Sequence, residues 1–244
     1  MTERIITVEK ADNKIIYTGS TERTTAEQYG IRHLTVIAAP IITEGKDKGK
    51  LLVHNRRDKQ LAKGKACPKY SYNFFGGHCN PPAVESPLIG KPVNEELLLE
   101  NILRELSEEM YLPTEADAKT TVLENKADGS AIYAKPFPLN RSDLIPLGYT
   151  VYSSCNDNEF SFVYALPLTS DTAGRVIAAD DFQKPDGSKG NLALPTALMT
   201  LDDLRALYEK GDNDTEICNA ISRLWEKQNE AVYRKLTKLI DQTA

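Results

Sequence analysis

The chain has 244 residues, 41% hydrophobic and 27% charged, with a formal net charge of −5. These are the proportions of a soluble globular protein with enough length for a packed core. The acidic balance argues against a nucleic-acid or membrane-surface binder. The opening "MTERIITVEKADNK" lacks the apolar run of a signal peptide, and "LTVIAAPII" (34–42) is too short to span a bilayer. Cys67, Cys79, Cys155 and Cys218 are scattered with no CxxC pair, so reduced thiols in a cytoplasmic protein are expected.

In chain order, "RIITVEKADNKIIYT" predicts an N-terminal hairpin over 4–20, turning at "ADNK". A polar connection over 22–32 leads to an apolar, β-branched strand at 33–43 and a second strand at 51–59. A basic loop carrying Arg56, Arg57, Lys59, Lys63, Lys65 and Lys69 precedes "FFGGH" (74–78). The four-proline stretch 79–94 predicts an irregular loop. Asn94 is a natural N-cap for a helix over 95–110, which Pro113 closes. Strands are expected at 120–123, 131–135, 146–154 and 159–168, a loop at 181–191, and a capped helix at 200–212. A final amphipathic helix is expected from about 215 to 241, with Ile217, Ile221, Leu224, Val232, Leu236 and Leu239 apolar and Trp225 as packing. It would cap the core or form a homodimer interface. The order of elements predicts an α+β fold in a single domain over 1–244, its core about 30–210.

The helix at 95–110 carries the chemistry. Leu99, Ile102, Leu103, Leu106 and Met110 form a stripe for the core, and Glu105, Glu108 and Glu109 form an acidic arc beside it. Like charges at that spacing repel, so an acidic arc with few bases is a poor structural choice. A hard divalent cation such as Mg²⁺ or Mn²⁺ removes the objection.

The stretch Glu96, seven residues, then Arg104-Glu105-Leu106-Ser107-Glu108-Glu109-Met110-Tyr111-Leu112 resembles the Nudix box. Two departures stand out. Tyr111 replaces the late glycine, and about a dozen extra residues separate Gly76-Gly77 from the helix. Gly77 is therefore the expected counterpart of the box glycine rather than Gly90, with the inserted loop beside the metal site.

The resemblance implies an α/β/α sandwich with a mixed sheet and metal-dependent hydrolysis of a diphosphate bond in a nucleoside diphosphate linked to another moiety. It implies Glu105, Glu108, Glu109 and the Gly77 carbonyl as metal ligands, with Glu159 as a late acidic candidate. Arg104 would orient a box glutamate, and Glu96 would support the site from the start of the helix. Arg56, Arg57 and His78 are the candidates for gripping substrate.

A narrower resemblance, carried by "IRHLTV", "NFFGGH" and "NEFSFVYA", is to isopentenyl-diphosphate isomerase and the hydrolases nearest to it. It implies a metal held by His33, His78, Glu109 and Glu159, with Asp157 nearby. The isomerase needs a cysteine where this chain has Gly76, and Cys79 would point elsewhere, so hydrolysis is favoured. The rival readings are an isoprenoid-diphosphate isomerase-like enzyme and a non-catalytic nucleotide-binding domain. The second is disfavoured because every box glutamate is present. Tyr70, Tyr72, Phe74 and Phe75 could stack on a base but read as strand residues.

Overall fold

A computed structural model of the chain describes residues 3–62, 66–115, 121–124, 131–154, 157–183, 189–211 and 213–243. Strands β1 (Arg4–Ala11) and β2 (Lys14–Glu22) form the N-terminal hairpin. Asp12 and Asn13 close it with φ of 47° and 62°, the left-handed pair of a two-residue turn that short polar side chains tolerate. The polar connection contains a short helix, α1 (Arg23–Tyr29), stopped by Gly30 at φ 60°.

Strand β3 (His33–Glu44) is buried over its first ten residues because it lies in the middle of the sheet between two covered faces. β4 (Leu51–Asn55) is shorter than expected. Asn55 Oδ1 accepts from the Arg57 and Ser71 amides, at 3.1 and 2.9 Å, and so turns the chain into helix α2 (Arg57–Ala62). β5 (Tyr70–Asn73) and β6 (Phe75–His78) follow.

Helix α3 (Glu95–Glu109) starts as expected, with Asn94 Oδ1 accepting from the Leu97 amide at 2.8 Å. It ends in extended backbone at Met110 and runs straight into β7 (Met110–Pro113). That exit has no left-handed residue, which is why Tyr111 can stand where the box has glycine.

After β7 come β8 (Thr121–Glu124), β9 (Ala131–Pro136), β10 (Ile145–Ser153), β11 (Asn158–Thr169) and a one-turn helix α4 (Ser170–Ala173). The expected loop at 181–191 is a β-hairpin, β12 (Ile177–Gln183) and β13 (Lys189–Leu194), with 184–188 outside the described residues. β14 (Thr196–Met199) and helix α5 (Leu201–Lys210) complete this part, with Thr200 and Asp203 forming a capping box.

The expected helix over 215–241 is not one helix. Residues Thr215–Ile217 form β15, parallel to β5, with Ile217 opposite Tyr72. A helical turn α6 (Asn219–Ser222) and two 3₁₀ turns follow, broken by extended backbone at Glu226. Only α7 (Glu230–Thr243) is a regular helix. Ile217, Ile221 and Leu224 have helical spacing, but the exposed edge of β5 takes the first of them into the sheet, where its backbone groups find partners.

The fold is α+β. A mixed sheet runs β10-β11-β3-β4-β5-β15, with β6 and β1 also paired to β3 and β14 to β4. β3 and β11 are parallel over eleven register pairs, which aligns His33 with Glu159. One face packs on α3 through Leu34, Val36, Ile102 and Leu106. The other packs on α5, α6 and α7 through Ile37, Ala39, Leu204, Ile221 and Leu236. The sandwich expected from the sequence is therefore present. Strands β7, β8, β9, β12 and β13 close into a separate small barrel, which periodicity did not reveal.

Asn94→Ala is expected to lose about 1 kcal/mol of unfolding free energy. Chemical denaturation of the two proteins measures it, and equal midpoints would mean that this cap contributes nothing.

Candidate active site

Strand alternation sorts the candidate residues onto two faces. Leu34, Val36 and Phe160 face α3, so His33, Thr35, Glu159 and Ser161 face the C-terminal segment. On β6, Gly77 is opposite Val36 and His78 opposite Thr35, so Gly77 lies under α3 and His78 on the far face.

On the α3 face, Glu105 lies inside the buried stripe rather than beside it, at 8% exposure. It fits because Gly77 has no side chain, since a Cβ there would come within 2.7 Å of Glu105 Oε2. Arg104 donates from Nη2 to Glu105 Oε1 at 2.5 Å and to the His78 carbonyl at 2.8 Å, and from Nη1 to Glu108 at 3.1 Å. Burial outweighs this pairing and pushes the Glu105 carboxyl up to about 7. Glu109 accepts from the Gly76 amide at 2.7 Å. Desolvation, then the like charges of Asp180 and Glu105, raise its carboxyl well above the usual range.

Asp180, on β12, is the residue that sequence reading missed. It is buried, its partner is the Lys59 ammonium of α2, and both are electrostatic neighbours of Glu109. The only sequence signal was an acid within an apolar run, "VIAADDF".

The other box residues are arranged differently. Glu108 is exposed and pairs with Arg104. Glu96 pairs with Arg141 on the surface, because nine residues along a helix is about half a turn away from Glu105. Arg57 is exposed, and Arg56 lies near Cys218 and His54. Of the basic segment, Lys59 is the described residue that reaches the acids, while Lys63 and Lys65 lie outside the described residues. The inserted loop is stapled along β2, with Tyr17 donating to Glu85 at 2.7 Å and the Gly90 amide to the Tyr17 carbonyl at 2.8 Å.

On the far face, His33, His78 and Glu159 offer ligand atoms that all lie within 4.8 Å of one another; Glu109 is not among them. The His33 and His78 rings stack at 5.2 Å. His33 Nδ1 lies 2.9 Å from the Ile31 carbonyl, which can only accept, so Nδ1 carries a proton and Nε2 is the ring nitrogen turned to the cluster. That Nε2 is buried without a hydrogen-bond partner, 3.5 Å from Asp157 Oδ1 and 3.9 Å from Glu159 Oε1. Two carboxylates around that nitrogen call for positive charge between them, which a proton on Nε2 or a bound cation supplies. Burial, then the charges of Arg23 and other neighbours, hold the His78 imidazole neutral, the form that ligates metal. An open cleft lined by Thr24, Glu27 and Gln28 of α1 reaches Asp157.

Gly76 decides the cysteine question. It has φ 131°, and a Cβ there would lie 2.1 Å from the Val36 carbonyl oxygen, so this backbone admits no side chain. Cys79 is fully buried among the residues under α3, and burial pushes its thiol upward.

No family model and no curated protein matches the chain. Among solved structures, it is similar to an ADP compounds hydrolase at 14% identity and TM-score 0.37, over 99% of this chain and 97% of that one. It is also similar to a MutT protein from Methanosarcina mazei Go1, at 12% identity and TM-score 0.35, over 86% and 94%. A NUDIX-family hydrolase from Clostridium perfringens stands at 14% and 0.34, over 86% and 97%. Likeness this loose carries no argument about chemistry.

Because the folded-state carboxyl of Glu105 is raised from 4.5 to about 7, the folded protein holds a proton there that the unfolded chain has released. The contribution of this carboxyl to stability falls as pH rises through that window, by an amount on the order of 1–3 kcal/mol, against the opposite slope of the buried neutral His54 and His78. Urea unfolding from about pH 5 to about pH 8 should show the decline, and Glu105→Gln should flatten it. A difference between wild type and Glu105→Gln that does not change with pH would contradict the buried carboxyl.

Proposed function

We propose that the protein is a Nudix-type enzyme that uses a divalent metal, Mg²⁺ or Mn²⁺, to hydrolyse the diphosphate bond of a nucleoside diphosphate derivative. The reading is supported by the electrostatic neighbourhood of Glu109 on the α3 face, where Asp180 and Glu105 act on it as like charges, Gly76 donates to it, and Arg104 and Lys59 pair with Glu105 and Asp180. Hard oxygen donors in a polar, partly enclosed corner suit Mg²⁺ or Mn²⁺.

Glu105, Glu109 and Asp180 would hold the ion, with Glu108 at the exposed rim. When bound, the ion neutralises the diphosphate and lowers the pKa of a water. The protein's own part is positioning. Arg104 fixes Glu105 against β6, the Gly76 amide fixes Glu109, and Lys59, held near the acids by Asp180, is the cation best situated to meet a phosphate oxygen. Arg56 and Arg57 are the weaker candidates for that role. A cytoplasmic setting suits a reduced-thiol protein acting on a nucleotide.

A second reading is favoured by the orphaned His33 Nε2. We read His33, His78 and Glu159, with Asp157 beside them, as an imidazole–carboxylate site for a divalent cation. It follows the isomerase-like pattern without Glu109. Isomerisation itself is disfavoured by a Gly76 backbone that cannot carry the acid–base cysteine.

Glu109→Gln and Glu105→Gln should each lower turnover of a nucleoside-diphosphate panel by at least about a hundredfold, roughly 2.7 kcal/mol of barrier. Glu108→Gln should lower it less. The check is phosphate or nucleotide release with Mg²⁺, and with chelator. Chelator-resistant cleavage, or a loss under tenfold in both variants, would remove the metal role of these acids.

A further inference from the structure

The buried guanidinium of Arg223 is not used by the hydrolase reading. It lies in the 3₁₀ turn after α6 and is 2% exposed. Its three nitrogens have separate acceptors. Nε donates to the Asn219 carbonyl at 2.7 Å, Nη1 to Ser161 Oγ, and Nη2 to Glu159 Oε2 at 2.5 Å. Ser161 Oγ in turn lies 2.5 Å from Thr35 Oγ1, and the guanidinium stands 5.0 Å from the Tyr152 ring. The turn itself is tied to the sheet by Asn229, which bonds both backbone groups of Val151 and the Arg223 carbonyl.

We propose that Arg223 is the positioning residue of the His33–His78–Glu159 site, so that the C-terminal segment completes that site rather than merely covering it. The inference rests on the reading of that cluster as a divalent-cation site. Two carboxylate oxygens on Glu159 have two tasks. Arg223 takes Oε2, and this leaves Oε1 turned toward the unpartnered Nε2 of His33. Glu159 stands near the start of β11, where Ser161 Oγ lies 3.5 Å from Oε2 and Arg223 makes the shorter contact. Arg223 holds it through a fork that is itself anchored at Ser161 and Asn219. A planar guanidinium can meet three acceptors in fixed directions, whereas a lysine ammonium supplies charge without that geometry.

A buried ion pair can also be purely structural, and removing one partner then destabilises the fold. The two roles separate on the conservative variant. If Arg223 only neutralises Glu159, Arg223→Lys restores everything. If it aims Glu159, Arg223→Lys restores stability but not metal affinity.

The experiment titrates Mn²⁺ into the full chain by electron paramagnetic resonance, in a Glu105→Gln/Glu109→Gln background so that the α3-face acids do not report. Wild type at position 223, Arg223→Lys, Arg223→Gln and His33→Ala are compared, with circular dichroism and thermal unfolding on each. Mn²⁺ binding that His33→Ala removes, and that Arg223→Lys weakens by about tenfold or more at near-normal thermal stability, supports the proposal. Affinity unchanged within about threefold, or tighter, in Arg223→Lys overturns it and leaves Arg223 a packing residue. No Mn²⁺ binding in the parent, or binding indifferent to His33→Ala, removes the metal reading of the cluster and the inference with it. Arg223→Lys keeps the buried charge paired, so the test holds if Arg223→Gln fails to fold.

Discussion

The close approach of α3 to the Gly76-Gly77 end of β6 is the constraint on which the acidic site depends. Only a residue without a side chain lets a helix set a carboxylate directly against a strand backbone. The approach excludes water from Glu105 and Glu109, and desolvation is the first cause of their raised proton affinity. It also explains why an acid can occupy the apolar stripe of the helix. Glu105 is buried, but Arg104 and the adjacent strand end give it partners that a core position would lack.

The same strand joins the two faces of the sheet. Gly77 looks toward Glu105 and His78 toward His33, while the His78 carbonyl accepts from Arg104. One four-residue strand therefore supports the acids on one side and the imidazole–carboxylate cluster on the other. The two clusters differ in donor chemistry. Carboxylates alone suit a hard ion, whereas two neutral imidazoles with carboxylates suit a first-row transition metal. The split also explains why Glu109 and Glu159 do not form one ligand set, since α3 carries Glu109 on one face and strand parity sends Glu159 to the other.

Much of this was legible in the sequence. The Asn94 cap, the α3 boundaries and the apolar β3 run are local signals, set by capping chemistry and by continuous burial. The Gly-Gly-His stretch was read as a strand end beside the helix, and β6 does lie against α3, but the exclusion of any side chain at residue 76 needed the backbone itself. Asp180 was hidden because its importance lies in a barrel strand returning to α2 and α3, a long-range pairing with no periodic trace. The C-terminal segment was misread because Ile217, Ile221 and Leu224 satisfy a helical period while following a strand, a helical turn and 3₁₀ turns. Which conformation wins there depends on an open sheet edge at β5, and that edge exists only once the sheet has formed.

Charge accounting shows why both clusters read as sites and not as ordinary ion pairs. On the α3 face, Lys59 is taken by Asp180 and Arg104 by Glu105 and Glu108, so no salt bridge among the described residues neutralises Glu109. On the far face, Arg223 is taken by Glu159, and Asp157 Oδ1 lies 3.5 Å from His33 Nε2. In each case the bases present are matched and one carboxylate is left over beside a second donor. For Glu109 the lack of a paired base is a net cost, because its carboxyl is desolvated. On the proposed reading, a cation from solution would supply the charge that each cluster's own bases do not.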